Sequence, residues 1–290
     1  MRIGLELLTA HPFGWMELRQ AAISVEEAGF DSLWVPDHIE KDLGGETMAF
    51  YDVVAMLGGI AEITSRVSIG ASVHNAALRH PFRLAHAALT LDEMSSGRFV
   101  LGIGAGSRGY EYGYVGGSTD HGFSRFTESV EIVASLLKGG EVTFEGRFWR
   151  TNEARVMGIE ARDVPLMIGA TGRRTIDLAF RWGDEWNTVE IAEPTPENLA
   201  ERVALADKAA AQYQRSVRRS IDLMVSPVPA WGHPHIPALP AITGSPEQIA
   251  ESLLAFADIG FDEVHCYGPA PYQAGSAAWL RIIDLLHAYT

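Results

Sequence analysis

Eight short runs of β-type residues are spread along this chain, and a helical or loop segment follows each one. The runs are Ile3–Leu8, Ser32–Pro36, Val67–Val73, Phe99–Gly102, Leu166–Gly169, Glu185–Glu190, Ile221–Ser226 and Glu263–Tyr267. Such alternation belongs to a parallel sheet joined by crossover helices. Eight strands with eight crossovers predict an α/β fold, a closed (β/α)8 TIM barrel, and 290 residues suffice for it as a single domain over positions 1–290. Helix cues agree: Leu18, Ala22 and Val25 recur at helical spacing before Gly29, and Ser245-Pro246-Glu247 reads as a helix start. Two stretches exceed a minimal barrel, Arg108 to His121 after strand 4 and Pro227 to Thr243 after strand 7, the second with Trp231, His233 and His235. Insertions at the C-terminal ends of barrel strands build substrate walls or lids, although a plain surface loop is the alternative for the second. The glycine cluster Gly102 to Gly106 also fits the dinucleotide turn of an open doubly wound sheet, but it sits in the fourth unit and lacks the third glycine.

Charge and composition narrow the partners. With 23 basic against 37 acidic residues the net charge is −14, which disfavours nucleic acid and anionic lipid. The single cysteine, Cys266, lies within an apparent strand and predicts a reduced core thiol, in keeping with a cytoplasmic protein. The opening MRIGLELL has no apolar leader of secretory length, and no apolar run approaches the roughly 20 residues a membrane helix needs. No H-E-x-x-H, cysteine cluster or G-x-S-x-G elbow is present, so zinc chemistry and serine hydrolysis have no motif behind them.

Chemistry is then sought at strand ends, which face the ligand in a barrel. The second strand ends in WVPDHIE, placing Asp37 and His38 at the mouth. An imidazole there suits proton handling beside a redox ring, or else bonds structurally to a neighbouring carbonyl. In the first strand Glu6 points opposite to Ile3, Leu5 and Leu7, so it is either part of a site wall or one half of a core ion pair. After the fifth strand, Gly169, Ala170, Thr171 and Gly172 run into a helix starting near Arg173. Small residues, a helix N-terminus and an arginine together make a phosphate turn, unless this is an ordinary βα turn.

Five segments in order then carry a resemblance: AEITSRVSIGASV, RHPFRLAHAALTLDEMSSGRFVLGIGAG, FEGRFW, PLMIGATGRR and TGSPEQIAESLLAFADIGFDEV. Together they resemble the luciferase-like monooxygenase superfamily over nearly the whole chain. Within it, GATGR and WVPDH are similar to the F420-dependent oxidoreductase branch. The resemblance implies coenzyme F420, a deazaflavin with a phosphate and a polyglutamate tail, or alternatively FMN. It implies cofactor contacts at Asp37, His38, Ser72, Val73, Gly104, Gly106, Gly169, Ala170, Thr171, Gly172 and Arg173, with His38 and Glu6 as catalytic groups. IGASVHNAA resembles a third-strand bulge whose non-prolyl cis peptide supports the deazaflavin face, here Ser72–Val73. The branch's sugar-phosphate dehydrogenases have a glutamate where this chain has Ser107, and the family's usual D-G-W after the fifth helix reads Asp184-Glu185-Trp186 here. Hydride transfer between F420 and a small organic substrate is the implied activity, in a homodimer. An FMN-dependent monooxygenase and a cofactor-binding protein without turnover are the alternatives.

Overall fold

The computed structural model describes residues 1–42, 47–106, 111–156, 163–190, 193–228, 242–272 and 275–289. Eight strands form the barrel: β1 (Arg2–Glu6), β2 (Ser32–Val35), β3 (Ser68–Ala71), β4 (Phe99–Gly104), β5 (Leu166–Gly169), β6 (Glu185–Val189), β7 (Arg218–Ser226) and β8 (Glu263–Tyr267). Every neighbouring pair is parallel, and the β8–β1 and β4–β5 pairings close the ring. A closed ring removes the sheet edges, so each strand is covered on both faces.

Eight long helices surround it: α1 (Trp15–Ala28), α2 (Val53–Ile63), α3 (Pro81–Met94), α4 (Gly122–Leu137), α5 (Arg173–Trp182), α6 (Pro196–Tyr213), α7 (Pro246–Asp258) and α8 (Ser276–His287). Their boundaries follow local chemistry. Gly29 ends α1 at φ 95°, and Ser245 caps α7 with Pro246 at its first position. Alternate strand residues such as Ile3, Leu5, Leu33, Val35, Ile69, Ile221, Leu223 and Val264 are wholly buried against the helices in one continuous core. The other alternates point to the barrel axis, where Trp34, Val100 and Met167 form a small separate apolar plug.

The structure adds elements that the alternation does not reveal. An antiparallel hairpin (Glu40–Asp42 with Thr47–Ala49) follows β2, and another (Val142–Glu145 with Arg150–Ala154) lies between α4 and β5. The Glu128 carboxylate closes the second by accepting the amides of Arg147, Phe148 and Trp149. Of the expected insertions, the first contains a short helix at Glu111–Tyr114 with 107–110 outside the described residues, while 229–241 of the second lie outside them altogether. Among the described residues no helix is long and apolar enough to cross a membrane.

Candidate active site

The barrel axis is unusually polar for a core. At its N-terminal end the Glu263 carboxylate collects Arg2 Nε at 2.8 Å, Arg218 Nη2 at 2.7 Å and the Ser32 hydroxyl. Trp34 Nε1 donates to Ser32 Oγ at 2.7 Å, and the indole stacks on His265 with ring centroids 4.3 Å apart. Higher up, Asp222 accepts from His265 Nδ1 at 3.0 Å, Asn187 Nδ2 at 2.8 Å and Ser72 Oγ at 3.0 Å. Burial opposes a charge on His265, but the Asp222 hydrogen bond and the charges of Asp222, Glu263 and Glu185 outweigh it and raise the imidazole above its ordinary value. The surroundings of His265, set between carboxylates, thus favour the imidazolium form.

Glu6 stands at the upper end of this chain, the last residue of β1 and 3% exposed. Neither carboxylate oxygen has a hydrogen-bond partner of normal geometry. Burial first, then the charge of Asp222, push its carboxyl well above the usual range, and Tyr267, its register partner on β8, opposes this only in part. Among the described residues Glu6 forms no ion pair, and its surroundings favour the neutral carboxyl over the carboxylate.

At the C-terminal mouth, β3 stops at Ala71, the Ser72–Val73 peptide is cis, and His74–Asn75 resumes pairing with Ile103–Gly104 of β4. The Val73 side chain leans over the mouth above the apolar plug. A Cβ on Gly104 would lie 2.6 Å from Val73 Cγ2, and one on Gly169 would lie 3.1 Å from it, so glycine at these strand ends makes room for the bulge. Asp37 secures the far side of the bulge. It accepts the Asn75 amide at 2.8 Å and the Arg79 guanidinium on both oxygens, with His74 Nδ1 at 3.7 Å. Burial alone would raise the Asp37 carboxyl, but His74 and Arg79 hold it below its ordinary value, so it is ionised.

His38 is partly buried at the adjoining edge of the mouth. Its Nδ1 lies 3.6 Å from Glu111 Oε2, its ring meets Phe50 edge-on, and Glu111 Oε1 also accepts the Ile39 amide at 2.6 Å. Burial, then Lys41, depress the imidazole below its ordinary value, and Glu111 offsets only part of this. His38 is thus neutral near pH 7, able to accept or share a proton.

The glycine turn after β5 is exposed from Thr171 to Arg174. The Ala170 amide is already used by Asn187 O at 2.8 Å, and Gly172 N donates to Thr175 Oγ1 at 3.3 Å. That leaves Arg173 and Arg174, which open α5 and have no acceptor within the helix. Gly106, at φ 83°, borders a cavity of about 210 Å³ that reaches towards this turn, lined also by Ala76, Phe123, Arg125 and Thr175. Ser107 lies outside the described residues.

Sequence reasoning missed Asp222, His265, Tyr267, Asn187 and Glu111. The first three were open to the argument that singled out Glu6: in EVHCY, Glu263, His265 and Tyr267 alternate with Val264 and Cys266, and in SIDLM, Ser220 and Asp222 alternate with Ile221 and Leu223. Glu111 carries no local cue. Cys266 is wholly buried on the opposite face of β8, and burial raises its thiol far above the ordinary range.

Fold and site together define a parallel (β/α)8 barrel with an acid-bearing axis and a mouth bordered by glycine turns. The family model for luciferase-like monooxygenase matches residues 1–239, and the chain belongs to that family. A curated relative from Beutenbergia cavernae, an F420-dependent glucose-6-phosphate dehydrogenase, is 30% identical over 252 residues, covering 83% of this chain and 71% of the relative. A protein of the same name from Nakamurella multipartita is 36% identical over 192 residues, 64% of this chain and 56% of its own length. The chain thus spans little more than half of that relative. Among solved structures, an F420-dependent secondary alcohol dehydrogenase in complex with an F420-acetone adduct superposes with a TM-score of 0.84 at 19% identity over 98% of both chains. That likeness speaks for the fold alone.

Proposed function

We infer that this chain is a coenzyme F420-dependent oxidoreductase, a single (β/α)8 domain that moves a hydride between the deazaflavin and a small organic substrate. The observation that carries this reading is the similarity, over 83% of the chain, to a relative named for that cofactor. The mouth fits such a group on physical grounds. A buried carboxyl without a partner, a bulge leaning over two glycines and an exposed helix start suit a flat ring that ends in a phosphate. When bound, the deazaflavin supplies or accepts the hydride at its C5, and the protein orients the reactants and handles the proton.

In this reading Ser72 and Val73 support the ring, Gly104, Gly106, Gly169 and Ala170 give close backbone approach, and Thr171, Gly172 and Arg173 receive the phosphate. Asp37 acts by fixing the bulge. Glu6, kept protonated by burial, donates to the substrate oxygen when a carbonyl is reduced and recovers the proton in the reverse direction. His38 completes the edge of the site as a neutral acceptor. The protein acts as a cytoplasmic homodimer on a small molecule, with no nucleic acid or membrane partner, in keeping with its net charge of −14.

The test is a titration. Quenching of tryptophan fluorescence is compared for F420 and FMN at equal concentrations, and F420 is expected to bind more tightly. Tighter binding of FMN would move the reading to an FMN-dependent monooxygenase, and binding with no hydride exchange to any acceptor would favour a carrier without turnover. Gly172→Val is expected to weaken cofactor binding by about tenfold or more by blocking backbone approach. An added Cβ there meets only Thr175 Oγ1, at 3.9 Å, so the variant keeps its fold, and native affinity in it would contradict the phosphate assignment.

Turnover through His38 has a pH signature. Because its imidazole is depressed below 6.5, the limb that His38 governs should leave activity intact through neutral pH and fall on the acid side, below the ordinary histidine range. His38→Ala is expected to cost on the order of 100-fold in turnover and to remove that acid limb. An unchanged pH profile in the variant would make His38 a structural residue.

A further inference from the structure

A second cavity lies on the other side of Phe123 from the cleft at Gly106. Its volume is about 390 Å³, and Phe123, Arg173, Arg174, Asp177, Lys208 and Gln212 line it between α5 and α6. Phe123 borders both cavities, and Arg174 Cζ sits 3.7 Å from the centre of its ring, so the stacked pair forms the wall between them. The two spaces therefore adjoin at the start of α5, next to the exposed glycine turn.

The charge of this groove is opposite to that of the molecule. The chain carries a net charge of −14 and three lysines, yet Lys208, Arg173 and Arg174 gather here. None of the three forms an ion pair with a described carboxylate. Elsewhere Arg2, Arg79, Arg202, Arg215, Arg218, Arg219 and Arg281 each hold one. The one acid in the lining among the described residues, Asp177, accepts the Tyr213 hydroxyl at 3.0 Å. Three cations without carboxylate partners, spread along an open groove, suit a chain of several anionic groups better than a single ion.

We propose that this groove between α5 and α6 receives the oligocarboxylate tail that extends from the cofactor phosphate. The assignment rests on the F420 reading and adds to it the place where the cofactor leaves the barrel. Arg174, stacked on Phe123, marks the crossing from the phosphate turn to the groove, and Lys208 lies across the groove on α6. Recognition here is electrostatic and exposed, so it responds to salt and to the number of carboxylates.

The experiment measures the affinity of the full chain for F420 bearing several glutamates and for the same cofactor ending at the phosphate side without glutamates, by tryptophan quenching at low and high salt. The wild type is expected to prefer the tailed form by about tenfold at low salt, the scale of two or three exposed ion pairs, and to lose most of that preference at high salt. Lys208→Glu, an exposed change distant from the barrel axis, is expected to abolish the preference and leave the affinity for the tailless form unchanged. Equal affinity for both forms in the wild type would overturn the groove assignment and leave the F420 reading standing. A preference that survives in Lys208→Glu and in Lys208→Glu/Arg174→Gln would do the same. Failure of both forms to bind would overturn the two together.

Discussion

Glu6→Gln is expected to lower turnover by about 100- to 10,000-fold and, at neutral pH, to make the protein more stable than the wild type. Both effects come from one property of the residue. Glu6 is buried at the upper end of the barrel axis, its oxygens have no hydrogen-bond partner of normal geometry among the described residues, and burial together with Asp222 raises its carboxyl well above 4.5. A carboxyl raised in this way holds its proton to higher pH than an exposed glutamate does, and in the proposed mechanism that proton goes to the substrate oxygen. Glutamine keeps the shape and the polarity and removes only the transferable proton.

The stability effect follows from linkage. A group whose folded value lies above its unfolded value contributes stability that is fully present below the unfolded value and is lost as pH rises towards the folded one. For Glu6 that window opens near 4.5 and extends upward to the raised folded value, so the wild type loses stability there because the unfolded chain gains an ionised carboxylate. Thermal melts of wild type and Glu6→Gln across this range, beside single-turnover reduction assays, check both halves. A variant with native turnover, or one whose melting temperature falls at pH 7, would show that Glu6 is ionised and structural.

The barrel was legible because its cause is periodic. Strands buried on both faces read as apolar runs, and their spacing by helices leaves few topologies open. Strand edges moved by one to three residues: β4 continues to Gly104 because the resumed strand at His74–Asn75 pairs with it, and β7 starts at Arg218, whose guanidinium closes the N-terminal end of the axis. The hairpins after β2 and after α4 were not legible, because each is fixed by contacts that no local pattern encodes. The Glu128 carboxylate, for one, gathers three amides about twenty residues further on. The candidate site was legible at single strand ends, as with Glu6 and His38, but not across the barrel. Ser72 reaches Asp222 over 150 residues of sequence, and the ring position that brings them together exists only once the barrel is closed.

That closure makes His265 the residue on which the polar axis depends. It is wholly buried, stacks on Trp34, donates to Asp222 from Nδ1, and has Nε2 3.7 Å from Glu263 Oε1. Its imidazole faces Asp222, Glu263 and Glu185, which favour its charged form, and of these three only Glu263 has direct contact with both Arg2 and Arg218. His265→Leu keeps most of the volume and removes the cation, leaving Asp222 buried without its main counter-charge. Breaking a buried pair from one side costs about 3–5 kcal/mol, so the melting temperature should fall by on the order of 10 °C. Because the folded imidazole is raised above 6.5, the stability it contributes is complete below that value and is lost as pH rises through the folded one. The gap between wild type and variant is therefore widest at about pH 6 and narrows on the alkaline side. Equal melting temperatures at about pH 6 would mean that the histidine is neutral in the fold. In that event Asp222 would be held by Asn187 and Ser72 alone, and burial, the larger cause, would still favour the proton on Glu6.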